Sequence, residues 1–132
     1  MSGLVLKLRP SERLLINGVV IENGDRRTRL HILTRDANVL RLRDAIHPEE
    51  ATTPVSRVCY VAQLFLAGEA DAEDAHSQLS KGIAQLSHVF ADGEGRLLID
   101  EAAEHLREGR VYQTMRTLRR LLPVEERLMA PS

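Results

Sequence analysis

Arginine carries most of the chemistry that this sequence offers. Arg26, Arg27 and Arg29 surround one turn-forming stretch, and Arg35, Arg41, Arg43 and Arg57 follow. Guanidinium forks pair bidentately with phosphate oxygens, and their planes stack on unpaired bases, so the cluster fits an RNA ligand. A second reading is open at Arg41 and Arg43. They alternate with Leu40 and Leu42, as the solvent face of a half-buried strand would. Arg116, Arg119, Arg120 and Arg127 recur at helical spacing and read as a solubilising helix face.

Other reactive residues lack partners. Cys59 and His47 have no nucleophile signature around them, and Cys59 lies beside an apolar helical stripe, the place of a small packing residue. His31, His47, His76, His88 and His105 form no i, i+4 pair, so metal-ligand spacing is absent. Asp92-Gly93-Glu94-Gly95 opens like a calcium loop, but Leu97 and Ala103 occupy the turn-glycine and bidentate-glutamate positions. Its single Gly-x-Gly, with no Walker lysine loop elsewhere, gives no nucleotide cradle. Asp100, Glu101, Glu104 and Glu108 are carboxylates that could share a proton, yet Arg107 sits three residues after Glu104, as on an ion-paired surface. The expectation is a protein without catalytic residues, metal or cofactor.

The composition narrows the partners. Across 132 residues, 18 Lys+Arg oppose 19 Asp+Glu, which excludes a polycation gripping nucleic acid by overall charge. The charge is unevenly shared: residues 1–60 hold ten Lys/Arg against seven Asp/Glu, and residues 61–132 hold eight against twelve. A basic first half suits an anion, and an acidic second half suits a protein surface. Aromatics at 3%, without Trp, are too few for a sheet that stacks successive bases on rings. A single cysteine excludes an internal disulfide, and no stretch approaches the ~20 apolar residues of a membrane span, so no membrane partner and a cytoplasmic location are expected.

The elements that position these residues follow from periodicity, which changes near Thr53. Before it, apolar residues alternate: Leu4, Leu6 and Leu8 mark one strand, and Leu14-Leu15-Ile16 and Val19-Val20-Ile21 flank Asn17-Gly18, the dipeptide suited to a type I′ hairpin turn. Asn23-Gly24-Asp25 makes another turn, Leu30-His31-Ile32-Leu33 a fourth strand, Arg35-Asp36-Ala37-Asn38 a third turn, and residues 39–42 a fifth strand. After Thr53-Pro54, a helix-start pair, apolar residues recur every three or four. Helices are predicted from there to Gly68, over 71–90, over 97–107 and from 110, with Pro123 kinking the last or starting a new turn. The fold class expected is α+β: a small antiparallel β-barrel or sandwich of about five strands over residues 1–52, then a bundle of three to four helices over 53–132. The exposed edge strands of such a barrel would allow pairing with a second copy.

The run Leu6-Lys7-Leu8-Arg9-Pro10-Ser11-Glu12-Arg13-Leu14-Leu15-Ile16-Asn17-Gly18-Val19-Val20-Ile21-Glu22-Asn23-Gly24-Asp25-Arg26-Arg27 resembles the opening of the FlbT family, regulators of flagellin synthesis in flagellated bacteria. The twin Asn-Gly turns before Asp-Arg-Arg, the Val39-Leu40-Arg41-Leu42-Arg43 strand, Thr52-Thr53-Pro54 and Tyr60 carry the likeness over about the first 65 residues. Beyond Gly68 it rests on Tyr112 and on Glu-Glu-Arg-Leu at 125–128. Ser11 departs from it, since the family commonly has glycine there. The resemblance implies a non-enzymatic, post-transcriptional role on the 5′ leader of flagellin mRNA, with repression or activation both known in the family. It also implies work alongside FlaF, and the acidic half is where FlaF or flagellin would bind. Val39-Leu40-Arg41-Leu42-Arg43-Asp44-Ala45-Ile46 is also similar to the last strand of CsrA-type translational regulators, which points to Arg43 as an RNA contact. The RNA-binding set expected is therefore Arg26, Arg27, Arg41 and Arg43. An adaptor that binds flagellin or FlaF and affects the message indirectly is the alternative.

Overall fold

A computed structural model of the chain describes residues 3–34 and 37–130. Arg35 and Asp36, half of the third predicted turn, lie outside the described residues. Five strands come first, β1 (Leu4–Leu8), β2 (Arg13–Ile16), β3 (Val19–Glu22), β4 (Thr28–Ile32) and β5 (Val39–Arg41). After two short 3₁₀ turns, four α-helices follow among the described residues: α1 (Pro54–Leu66), α2 (Ala72–Val89), α3 (Gly93–Arg107) and α4 (Val111–Met129). The α+β class and the helical layout match the reading of the sequence. The barrel does not form.

The strands make two antiparallel sheets, β1-β4 and β3-β2-β5. β2 and β3 pair around Asn17-Gly18, whose φ values of 51° and 81° are the two left-handed residues a type I′ turn demands. β1 and β4 then pair outside them, so all four strands belong to one long hairpin with a break in it. At the break, residues 9–12 face residues 23–27, four against five, and the extra residue bends the ribbon as a β-bulge does. Ser11 N–H donates to the Gly24 carbonyl (2.8 Å) and Asn23 N–H to the Glu12 carbonyl (2.8 Å), while the Asn23 amide donates to the carbonyls of Arg9 and Arg26. The bend satisfies its backbone locally but interrupts the ladder, and among the described residues no ladder joins β1 or β4 to β3 or β5, so two small sheets stand in place of a closed barrel.

Ser11 sits at φ 60°, in the left-handed region that costs an L-residue roughly 1–2 kcal/mol. This is the position where the resembling family commonly has glycine. Ser11→Gly is expected to stabilise the protein by about 1 kcal/mol, net of the greater freedom glycine adds to the unfolded chain. Chemical denaturation of the two proteins checks it, and an unchanged midpoint would remove the strain.

The helices close a ring in which α1 contacts α2, α2 contacts α3, α3 contacts α4 and α4 returns to α1. Thr53 and Ser56 form a reciprocal capping box at the start of α1, and Gly68, at φ 76°, ends its last turn. α3 begins at Gly93 rather than Leu97, because the glycine pair is not a terminator. A Cβ on Gly95 would lie 2.5 Å from Phe90 Cδ1, so that glycine lets the ring pack on the helix. α4 runs through Pro123 as one helix to Met129. Near its end the buried Glu125 carboxylate accepts from the Val55 backbone N–H (3.0 Å), so the last helix caps the first. Leu6, Leu8, Leu14, Val39 and Leu40 from the strands share one core with Val55, Cys59, Leu118 and Leu121 from the helices.

Candidate nucleic-acid interface

A large concavity lies where the β1-β4 ribbon meets the first half of α4. This groove has a volume of about 880 Å³. Its lining includes nine cationic side chains, Lys7, Arg9, Arg27, Arg29, Arg41, Arg43, Arg116, Arg119 and Arg120, and no carboxylate among the described residues. β1 supplies apolar floor through Leu6 and Leu8, both buried, while Lys7 between them is exposed. On α4, Tyr112 is buried and the Arg116 guanidinium lies 5.9 Å from the centroid of its ring, a cation–π contact that orients the arginine plane.

Two local rules are broken at this one place. Lys7 and Arg29 are direct cross-strand partners in the β1-β4 ladder, and like charges so placed repel. Arg116 and Arg120 are i, i+4 on α4, where like charges repel as well. Elsewhere the helices pair their charges: Arg96 with Asp100 (3.1 Å), Arg107 with Glu104, and Arg127 with Glu94 (3.0 Å). In the groove, Arg120 reaches Glu101 at 3.4 Å. Lys7, Arg27, Arg29 and Arg116 have no acidic partner within salt-bridge distance among the described residues. An anion seated in the groove relieves both repulsions.

The four arginines expected from sequence are placed differently from one another. Arg27 lines the groove and is exposed; Arg26, also exposed, belongs to the neighbouring turn and does not line it. Arg43 is half-exposed at the groove, 3.7 Å from Glu12. Arg41 is buried. Its Nε donates to Glu12 Oε2 (2.8 Å), and its Nη2 donates to Glu12 Oε1 (2.9 Å) and to the Lys7 carbonyl (2.6 Å). Neither sequence reading of Arg41, phosphate contact or solvent face, describes this: strict alternation fails because all three residues of β5 are buried. Arg41 builds the floor on which the exposed cations stand. Burial pushes the Glu12 carboxyl up, but the Arg9 backbone N–H, the Arg41 hydrogen bonds and the charges of Arg41 and Arg43 outweigh it, leaving its pKa below the ordinary value.

The helical wall is what sequence reasoning missed. The spacing of Arg116, Arg119 and Arg120 reads as a solubilising face, yet none has an Asp or Glu three or four residues away on either side. A solubilising face interleaves acids, and their absence from all ten neighbouring positions is the readable signal.

A family model described as flagellar protein FlbT matches residues 4–129. The chain belongs to the FlbT family. Its relatives include proteins named probable flagellum biosynthesis repressor protein FlbT from several bacteria. That of Brucella anthropi is 33% identical over 94% of this chain and 80% of its own length. That of a Caulobacter strain is 29% identical over 93% of both, and that of Brucella abortus is 32% identical over 97% of this chain and 83% of its own. No solved structure matches. The FlbT match spans both walls of the groove.

The remaining reactive groups are elsewhere. Cys59 is fully buried in α1, and burial pushes its thiol up to about 12. Ellman's reagent is expected to leave it unlabelled in the folded protein and to label it on denaturation; prompt native labelling would mean that α1 opens readily. No group of His, Cys, Asp and Glu among the described residues could hold a metal ion. Among the described residues no helix is long and apolar enough to cross a membrane.

Proposed function

We propose that this FlbT-family protein is a post-transcriptional regulator of flagellin synthesis, which binds the 5′ untranslated leader of flagellin mRNA in the arginine groove and lowers its translation or lifetime during flagellum assembly. The observation that carries the reading is the convergence of two like-charge pairings, Lys7 with Arg29 and Arg116 with Arg120, on one concavity whose lining has no carboxylate among the described residues. Natural folds break local rules mainly where function requires it. The relatives' shared name, flagellum biosynthesis repressor, supports the regulatory direction. Phosphate contacts from Lys7, Arg27, Arg29 and Arg116 supply affinity, and guanidinium planes facing exposed bases supply selectivity. Arg43 joins them at the edge of the floor, and Arg41 acts by holding that floor.

Titration of the purified protein, freed of host RNA, against its own flagellin leader and a scrambled control tests the proposal. The leader is expected to bind more tightly, with affinity falling steeply as salt rises. Equal, salt-insensitive binding of both RNAs would sink it. A nuclease-treated pull-down that returned flagellin or FlaF from a protein unable to bind the leader would assign the effect to protein contact instead.

A further inference from the structure

Resting on the RNA reading above, we infer that the groove takes a single-stranded segment of about three to four nucleotides and rejects a duplex. The two walls are nearly equal in length. On one side Val5 to Arg9 line the groove; at ~3.3 Å per strand residue they span about 13 Å. On the other, Tyr112 to Arg120 span about 12 Å at ~1.5 Å per helical residue. A stacked strand advances ~3.4 Å per phosphate, so three to four phosphates fill that run.

Charge on both walls favours a strand over a helix. A strand lying between the walls meets Lys7 and Arg29 on one side and Arg116 and Arg120 on the other, so both repelling pairs are neutralised at once. A duplex is convex, and in A-form RNA the base edges of the major groove lie too deep for side chains to reach. It would contact the rim cations alone. Tyr112 is buried beneath Arg116, so the flat surface offered to an unpaired base is the oriented Arg116 guanidinium rather than the phenol ring.

The experiment is fluorescence anisotropy of the full chain with a labelled oligouridylate of about 12 nucleotides, which stays unpaired, and with a blunt RNA duplex of the same length. The strand is expected to bind at least about tenfold more tightly, with a log–log salt slope of about −2 to −3, as ~0.7 per neutralised phosphate requires. Lys7→Ala and Arg116→Ala, one from each wall, are each expected to weaken strand binding by roughly five- to tenfold. A duplex that binds as well as the strand, or a loss confined to one wall, overturns this inference and leaves the RNA reading standing. Failure of both RNAs to bind, even at low salt, overturns both.

Discussion

Replacing Glu12 with alanine is expected to destabilise the protein by about 3–5 kcal/mol, because it leaves the Arg41 guanidinium buried with no countercharge. Glu12 and Arg41 side chains are only 5% and 8% exposed and exchange two hydrogen bonds, so water cannot replace the lost partner. Arg41→Ala should cost a similar amount by stranding the carboxylate. Replacing both with apolar residues of similar volume should recover most of the loss, since breaking a buried pair is worse than deleting it. Denaturant titration of the three variants checks this; additive losses in the double variant would mean the residues act separately. The pH dependence follows from Glu12. Its carboxyl lies below its unfolded value in the native protein, so its contribution is fully present above about pH 4.3 and is lost as pH falls through the depressed native value. Glu12→Gln should flatten that acid limb.

The second large effect belongs to the groove. Arg29→Glu combined with Arg116→Glu is expected to reduce affinity for the flagellin leader by about 100-fold and to make the salt slope shallower by about 1.4, two phosphates at ~0.7 each. Both side chains are exposed, so the thermal midpoint should stay within a few degrees of the parent, and the reversed charges would now attract Lys7 and Arg120. Arg26→Glu is the control: exposed and basic but outside the groove, it should change affinity little. Equal losses in the control and the groove variant would mean that RNA responds to overall charge rather than to this site.

The structure explains which parts of this molecule could be read in one dimension. Asn17-Gly18 was legible because its left-handed preference is local, and Thr53-Pro54 because capping needs only four residues. The break between the two sheets was not legible: it depends on one extra residue in 23–27 opposite 9–12, a mismatch between segments that pair only in three dimensions. The start of α3 before Leu97 is hidden for a related reason, since the role of Gly95 is to admit Phe90, and a glycine that makes room looks like one that breaks a helix. The groove was half legible. Arg27 and Arg43 stand out as part of a basic run, but the facing cations are 73 to 93 positions further along, in a half whose net charge is negative. Net charge by segment hides a site assembled from two segments.

The return of α4 onto α1, pinned by Glu125 at the Val55 N–H, has a consequence for the newborn chain. One bank of the groove is synthesised well before the other, so a polypeptide still held by the ribosome before α4 emerges owns the ribbon's cations without the trough that gathers them. On the reading proposed above, transcript capture would begin only after the ribosome has delivered α4, and a stalled nascent chain ending at Gly109 is expected to be blind to the leader.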